Sequence, residues 1–262
     1  MTSALLTQID DLGRATVILN RPEIHNAFDD TLIAALTCEL KRLGRDDDVR
    51  VVILAARGKS FSSGADLNWM RRMADFTLEE NLSDAMELAE LMKTLANLPK
   101  PTIALVQGAA IGGGVGLVAC CDIALAGERA RFRLSEVKLG LIPAVISPYV
   151  VAAIGPRATR RYFLTAELFD GGVACRLGLV HEVVADEELA DRGDELSRQL
   201  LKNGPRAMAA VKELVSEVAL SSLDDELIAD TAERIAETRA SVEGREGLSA
   251  FLEKRQPNWI KG

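Results

Sequence analysis

No apolar run in the chain approaches the roughly 20 residues that a membrane-spanning helix needs. Thr102–Val106 and Val115–Cys121, among its most apolar stretches, are short, and Gly116 interrupts the second. No membrane partner is expected. The opening stretch, MTSALLTQIDD, has neither the basic segment and long apolar core of a secretory leader nor the Arg-rich amphipathic character of a transit peptide, so the expected location is cytoplasmic. Positive charge is not in excess: 31 Lys and Arg stand against 39 Asp and Glu, a net charge of −8. That balance argues against nucleic acid as a partner, because a phosphate backbone calls for a basic field. It leaves room for a small anionic ligand, which needs only a local cluster of donors. Cysteine and histidine are scarce. Cys38, Cys120, Cys121 and Cys175 form no CxxC pair, and neither His25 nor His181 lies near them, so no metal site is expected. The cysteines read as reduced, buried small hydrophobes. With two histidines and no GxSxG elbow around Ser62, Ser63 or Ser147, a serine hydrolase is a poor reading. The dinucleotide spacing GxGxxG fails across Gly108–Gly116, and no Gly-Lys-Ser/Thr follows to make a phosphate-binding loop.

What the chain does have is enough apolar residues, 48% of 262, to bury a substantial core. Leu5–Ile9 and Ala15–Leu19 read as a hairpin around a Gly-containing turn. Leu32, Leu36 and Leu40 recur at helical spacing and predict a helix over Asp29–Leu43, its acidic start suited to a helix N-terminus. Val51–Ala56 and Thr102–Val106 are continuous apolar runs of the kind found in strands buried on both faces. A helix is expected over Leu78–Asn97, ended by Pro99 and Pro101. The run Gly108–Gly116 leads into a small-residue helix through Cys121, and Asp122–Ala126 and Ala130–Leu134 read as further strands. This order points to an α/β architecture with loops gathering a site at one end of the strands. From Asp186 onward the pattern is helical: Asp186–Leu201, Pro205–Val218, Leu223–Ala240 and Gly244–Glu253. The expected organisation is a core over residues 1–195 and a helical C-terminal region over 196–262.

Three segments could carry chemistry. The glycines of Gly108–Gly116 permit an exposed amide N–H at a helix start, which can stabilise negative charge developing on an oxygen; they serve tight strand–helix packing equally well. Ser60-Phe-Ser-Ser-Gly-Ala-Asp-Leu67 follows a buried strand and could present another main-chain N–H, although alone it reads as an ordinary Ser/Gly loop. Glu136 stands between apolar residues in Ser135-Glu-Val-Lys-Leu-Gly140. Buried in a cleft, its carboxyl would be suited to proton transfer; the plainer reading is an exposed glutamate, or one paired with Lys138 or Arg133.

Taken together, these segments resemble the crotonase (enoyl-CoA hydratase/isomerase) family. The resemblance runs through Asn20-Arg-Pro22 with Asn26-Ala27, Phe61–Leu67, Pro99–Ala104, Gly112–Gly114, Cys121–Ile123, Glu136, Leu139-Gly140, Pro143, Gly155, Arg157, Ala174–Val180 and Phe251–Lys254. It covers nearly the whole chain. It implies the ClpP/crotonase-like spiral of strand-strand-helix units with a helical C-terminal trimerisation region, and a homotrimer or dimer of trimers. By position it assigns the two oxyanion-hole amides to Ala65 and Gly113, and the acid/base to Glu136. Coenzyme A, part of the substrate rather than a cofactor, would run past Ala27, Ser63, Ala65, Asp66, Leu67 and Gly113. Arg21 and Lys59 are candidates for its phosphates. Phe251 and Lys254 would reach its adenine end, across a subunit boundary.

One departure matters. Family hydratases carry a second glutamate where this chain has Gly116, which points toward isomerisation or an altered hydratase mechanism. A finer resemblance, through Ala65–Met70, Gly113–Asp122 and Gly140–Tyr149, is to bacterial methylglutaconyl-CoA hydratases and related isohexenylglutaconyl-CoA hydratases. It implies hydration of a branched enoyl-CoA such as 3-methylglutaconyl-CoA, with Arg71, Arg72 or Lys138 facing the substrate's terminal carboxylate. The alternatives are a single-glutamate enoyl-CoA isomerase, an inactive acyl-CoA-binding member, and an RNA-binding protein, the last opposed by the net charge.

Overall fold

The computed structural model describes residues 3–260. The outermost residues of both expected regions, and the first two of the stretch read for a leader, lie outside the described residues. The hairpin forms as expected, with β1 (Leu5–Ile9) antiparallel to β2 (Arg14–Leu19). On β2 every second side chain, Ala15, Val17 and Leu19, is buried, the period of a strand with one face on the core. In α1 (Asp30–Arg45), Leu32, Ile33, Leu36, Leu40 and Leu43 form the buried stripe. Asp29 caps its first turn by accepting from the Leu32 N–H at 2.8 Å. β3 (Val51–Ala56) matches its expected run to the residue. It is followed by α2 (Leu67–Met73) and by α3 (Leu78–Ala96), which a Thr77–Glu80 capping box starts. Then come β4 (Thr102–Val106), β5 (Ala109–Ile111), α4 (Gly113–Cys120), β6 (Ile123–Gly127), β7 (Arg131–Arg133), a 3-10 turn over Glu136–Leu139, and α5 (Ser147–Thr165). β8 (Phe169–Asp170), α6 (Gly171–Leu177), β9 (Glu182–Val184), α7 (Leu189–Leu201), α8 (Pro205–Leu220), α9 (Asp225–Ala240) and α10 (Val242–Leu252) complete the described chain.

Among the described residues the strands form two sheets. The larger has the order β1-β2-β3-β4-β6-β9 and is parallel from β2 onward; the smaller is β5-β7-β8. The order strand, strand, helix recurs in β1-β2-α1, β4-β5-α4 and β6-β7-α5. In the last two units the first strand joins the large sheet and the second the small one, so each turn of chain crosses from one sheet to the other. The large sheet is covered on both faces. Val52 and Leu54 of β3 face the main core with α1, α3 and α4, while Val51, Ile53 and Ile103 pack with Leu196, Leu200 and Leu201 of α7.

α5 has no counterpart in the sequence pattern, because Gly155 (φ 74, ψ 159) and Pro156 break its periodicity midway. The expectation of four buried cysteines needs correction. Cys120 and Cys121 are buried, but Cys175 is half-buried and Cys38 is exposed on the outer side of α1. Residues 195 and 196 both fall inside α7, which packs on β3, β4 and β6. The helices beyond it are tied to the core by polar contacts. Arg50, 8% exposed, donates to the carbonyls of Asn203 (2.9 Å), Trp259 (2.9 Å) and Leu201 (3.4 Å). Lys212 of α8 pairs with Asp122 at 2.7 Å, and the Glu243 carboxylate accepts from the first N–H groups of α8, those of Arg206 and Ala207.

Candidate active site

The site is assembled around Asn26, which is fully buried in a left-handed conformation (φ 53). Its amide donates to the carbonyls of Arg57 (2.9 Å) and Ser60 (2.8 Å) and accepts from the Arg21 N–H (2.8 Å), so the Asn20–Phe28 loop is stitched to the loop after β3. Ser62 extends the seam. Its hydroxyl donates to Asn26 O, its N–H donates to Ala109 O, and its carbonyl accepts from Ile111 N–H, each at 2.9 Å.

Next along this loop, the Phe28 N–H donates to Gly64 O and the Asp66 N–H to Phe28 O, both at 2.7 Å. In such a bridge alternate residues point their backbone groups to opposite sides. Ala65 between them therefore turns its N–H away from Phe28, and among the described residues that N–H donates to nothing. Gly113 is the first residue of α4, so its N–H has no partner within the helix and finds none elsewhere among the described residues. The Phe28 ring lies directly on Gly113: a β-carbon placed there would sit 2.9 Å from Phe28 Cε2. One residue thus brackets Ala65 with its backbone and touches Gly113 with its ring. Both free donors are presented beside the positive end of a helix, a setting that stabilises an anionic oxygen.

Glu136 completes the arrangement. It opens the 3-10 turn after β7, whose Arg133 carbonyl accepts from Gly112 N–H at 2.9 Å. Gly112 has φ 53 and ψ −118, a conformation open to glycine alone, and a β-carbon on it would lie 3.0 Å from Glu136 Oε1. The carboxyl group therefore rests on the bare backbone at the start of α4. Its Oε2 is buried with no hydrogen-bond partner among the described residues, and neither Lys138 nor Arg133 pairs with it. Burial pushes its pKa above the ordinary carboxylate range.

The remaining predicted residues divide. Ala27 is buried beside the Asn26 seam, and Ser63 is half-buried, its N–H donating to His25 O at 2.9 Å. Asp66 is a positioning group: its side chain caps α2 by accepting from Asn68 N–H (2.8 Å) and Trp69 N–H (3.2 Å) and lies 3.5 Å from Arg21. Leu67 beside it is 69% exposed. Arg21 is engaged by Asp29 (2.6 Å) and the Ala27 carbonyl (3.2 Å) and clasps this loop. Lys59 is exposed and in no ion pair among the described residues. Phe251 and Lys254 are not brought to this cluster within the chain; they lie at the end of α10, which packs on α8 and α9.

Phe28 and Met92, which pattern reading did not single out, shape the site together with Ile146, which lies in the Gly140–Tyr149 stretch of the finer resemblance. Ile146 and Met92 occupy the space over Gly116. A β-carbon there would overlap Ile146 Cγ2 and lie 3.0 Å from Ile146 Cβ and 3.1 Å from Met92 Cε. The place of the second family glutamate is thus filled by apolar side chains.

Comparison with known proteins points to one family. The family model described as enoyl-CoA hydratase/isomerase matches residues 13–262. The 1,2-epoxyphenylacetyl-CoA isomerase of Escherichia coli is 33% identical over 99% of both chains. The 2,3-dehydroadipyl-CoA hydratase of the same organism is 31% identical over 92% of both. The crystal structure of an enoyl-CoA hydratase from Shewanella pealeana superimposes with a TM-score of 0.96 at 49% identity, covering 98% of this chain and 96% of that one. With paired free amides, a buried carboxylate and these relatives, the chain belongs to the enoyl-CoA hydratase/isomerase family and has the crotonase fold with a helical C-terminal region.

Proposed function

We propose that the protein hydrates a branched enoyl-CoA, 3-methylglutaconyl-CoA, with Glu136 as its only acid/base and no cofactor beyond the CoA of the substrate. The observation that carries the reading is the Glu136 carboxyl group, whose Oε2 is buried with no partner among the described residues and whose Oε1 lies 3.0 Å from the β-carbon position of Gly112, the residue before the free N–H of Gly113. In the forward step Glu136 takes a proton from water as the water oxygen bonds to C3. The C2=C3 electron pair shifts toward C1, and the thioester oxygen becomes an enolate oxygen held by the Ala65 and Gly113 N–H groups. Each such donor lowers the barrier by about 3 kcal/mol. Glu136 then hands its proton to C2, the enolate collapses to the thioester, and the carboxylate is restored. One carboxylate on one face adds the elements of water to that face.

For the distal carboxylate of a glutaconyl chain, Lys138 is the favoured partner. It lies two residues from Glu136, is exposed and forms no ion pair among the described residues, whereas Arg71 is bonded to Asn68 (2.8 Å) and Arg72 to Asp30 (2.8 Å). Phe251 and Lys254 serve the adenine end of CoA in a neighbouring subunit of a trimer or dimer of trimers. The exposed apolar side chains of α8–α10 support that assembly.

The apolar filling over Gly116 favours a second reading, a single-carboxylate isomerase in which Glu136 moves a proton between C2 and C4. Purified protein and Glu136→Gln should be offered 3-methylglutaconyl-CoA, crotonyl-CoA and a 3-enoyl-CoA, with water addition and bond migration followed separately. Hydration of the glutaconyl thioester, reduced by about 10²–10⁴ in the mutant, is the expected result. Migration without hydration replaces it with the isomerase. CoA binding without turnover, or turnover untouched by the mutation, sinks the mechanism.

A further inference from the structure

A further role falls on Ile146, and it rests on the assignment of proton transfer to Glu136. Gly112 and Gly116 stand one helical turn apart, joined by the Gly116 N–H to Gly112 O hydrogen bond at 3.2 Å. That hydrogen bond sets Gly116 in the first turn of α4, directly above its cap residue Gly112. Glu136 lies over the first glycine, its Oε1 3.0 Å from the β-carbon position there. Ile146 lies over the second, 3% exposed, with the fully buried Met92 beside it. Behind Met92, its sulfur meets the Cys120 thiol at 3.7 Å. The turn of α4 that follows the glycine under the carboxyl group is therefore covered by alkyl and thioether groups.

We infer that Ile146 is a positioning residue that keeps Glu136 the sole proton carrier, by filling with Met92 the volume where an ordered water or a second acid would otherwise stand. The same packing keeps Glu136 from being solvated on that side. A proton taken up by Glu136 then returns to substrate faster than it is lost to solvent.

The test compares Ile146→Gly and Ile146→Val with wild type, using Glu136→Gln to assign the Glu136 signal. Carbon-13 NMR of labelled glutamates should show the Glu136 carboxyl titrating above the ordinary range in wild type and Ile146→Val. In Ile146→Gly it should move back toward that range. Exchange of the α-protons of butyryl-CoA with D₂O should rise several-fold in Ile146→Gly and not in Ile146→Val. An unchanged Glu136 titration in a folded Ile146→Gly protein overturns the inference. Should Ile146→Gly not fold, Gly116→Ala carries the packing half. It should lower Tm despite the helix preference of alanine, and Ile146→Ala in the same chain should restore it; a Tm undiminished by Gly116→Ala overturns the inference as well. Turnover lost in Glu136→Gln with Glu136 titration indifferent to Ile146 sinks this inference alone, while turnover surviving Glu136→Gln sinks the reading beneath it.

Discussion

The sheet-based core and the terminal helices are built by different means. The core buries its apolar residues in the ordinary way: Val17, Leu36, Leu54, Met92 and Phe132 are inaccessible or nearly so. Neither α8 nor α9 contains a buried residue, and Val211, Val215, Leu220 and Leu223 are 55%, 61%, 91% and 86% exposed. A groove of about 900 Å³ runs between α8 and the core, lined in part by Val118, Tyr149, Leu179, Met208 and Val215. What ties the helical end to the core is a small set of polar clasps, chiefly those of Arg50 and Lys212, while Glu243 of α10 holds the start of α8. The comparison teaches that the core supplies its own apolar partner, whereas the helices carry an apolar surface suited to a partner the single chain does not provide.

pH should separate the two regions most widely. Glu136, in the core, has its pKa raised by burial, whereas Glu246, on α10, is drawn down to about 2 by Arg255 and the Asn258 N–H. A raised carboxylate binds its proton more tightly in the folded chain, so its burial favours the fold at low pH and that support is lost as pH rises through the raised value. The depressed Glu246 has the opposite sign: its support is present above the ordinary carboxylate range and is lost as pH falls toward about 2. On acidification from neutrality, activity should therefore fail first, about tenfold per pH unit below the Glu136 midpoint, while the Arg255–Glu246 pair persists. A pH–rate profile read beside far-UV circular dichroism checks this; simultaneous loss of activity and fold would erase the distinction.

Within the core, Leu36→Ala should cost about 2–5 kcal/mol, measured by urea unfolding. Arg50→Met should cost less, about 1.5–3 kcal/mol for a charge-assisted hydrogen bond lost at the clasp, and should expose the chain after Lys202 to limited proteolysis while the sheet stays folded. Val215→Ser should change the stability of the isolated chain by no more than about 0.5 kcal/mol and yet weaken association in sedimentation equilibrium. An unaltered assembly in that variant removes α8 from the subunit contact.

How far the molecule could be read from its residues follows the same physics. Val51–Ala56 and Thr102–Val106 were legible because strands buried on both faces need an uninterrupted apolar run. Glu136 stood out as a carboxylate among apolar neighbours, and the structure leaves the residue half-buried with its Oε2 shut off from solvent. α5 was hidden by Gly155-Pro156, and β8 and β9 are too short, two and three residues, to show a period. The fit of Ile146 and Met92 over Gly116 could not be foreseen, since it joins residues distant in sequence through packing alone. The Ala65 and Gly113 N–H groups were named through the motifs around them, but that both lack a partner among the described residues is a property of the backbone which only the fold displays.

Phe28 has a consequence for how such a site can change. Its main chain brackets one of the two proposed oxyanion donors and its ring abuts the other. The two donors thus share a single gauge, like the jaws of a caliper on one screw. A substitution there shifts both jaws together, so variation in the acyl group is freer to come from the walls around Glu136 than from the grip on the thioester oxygen.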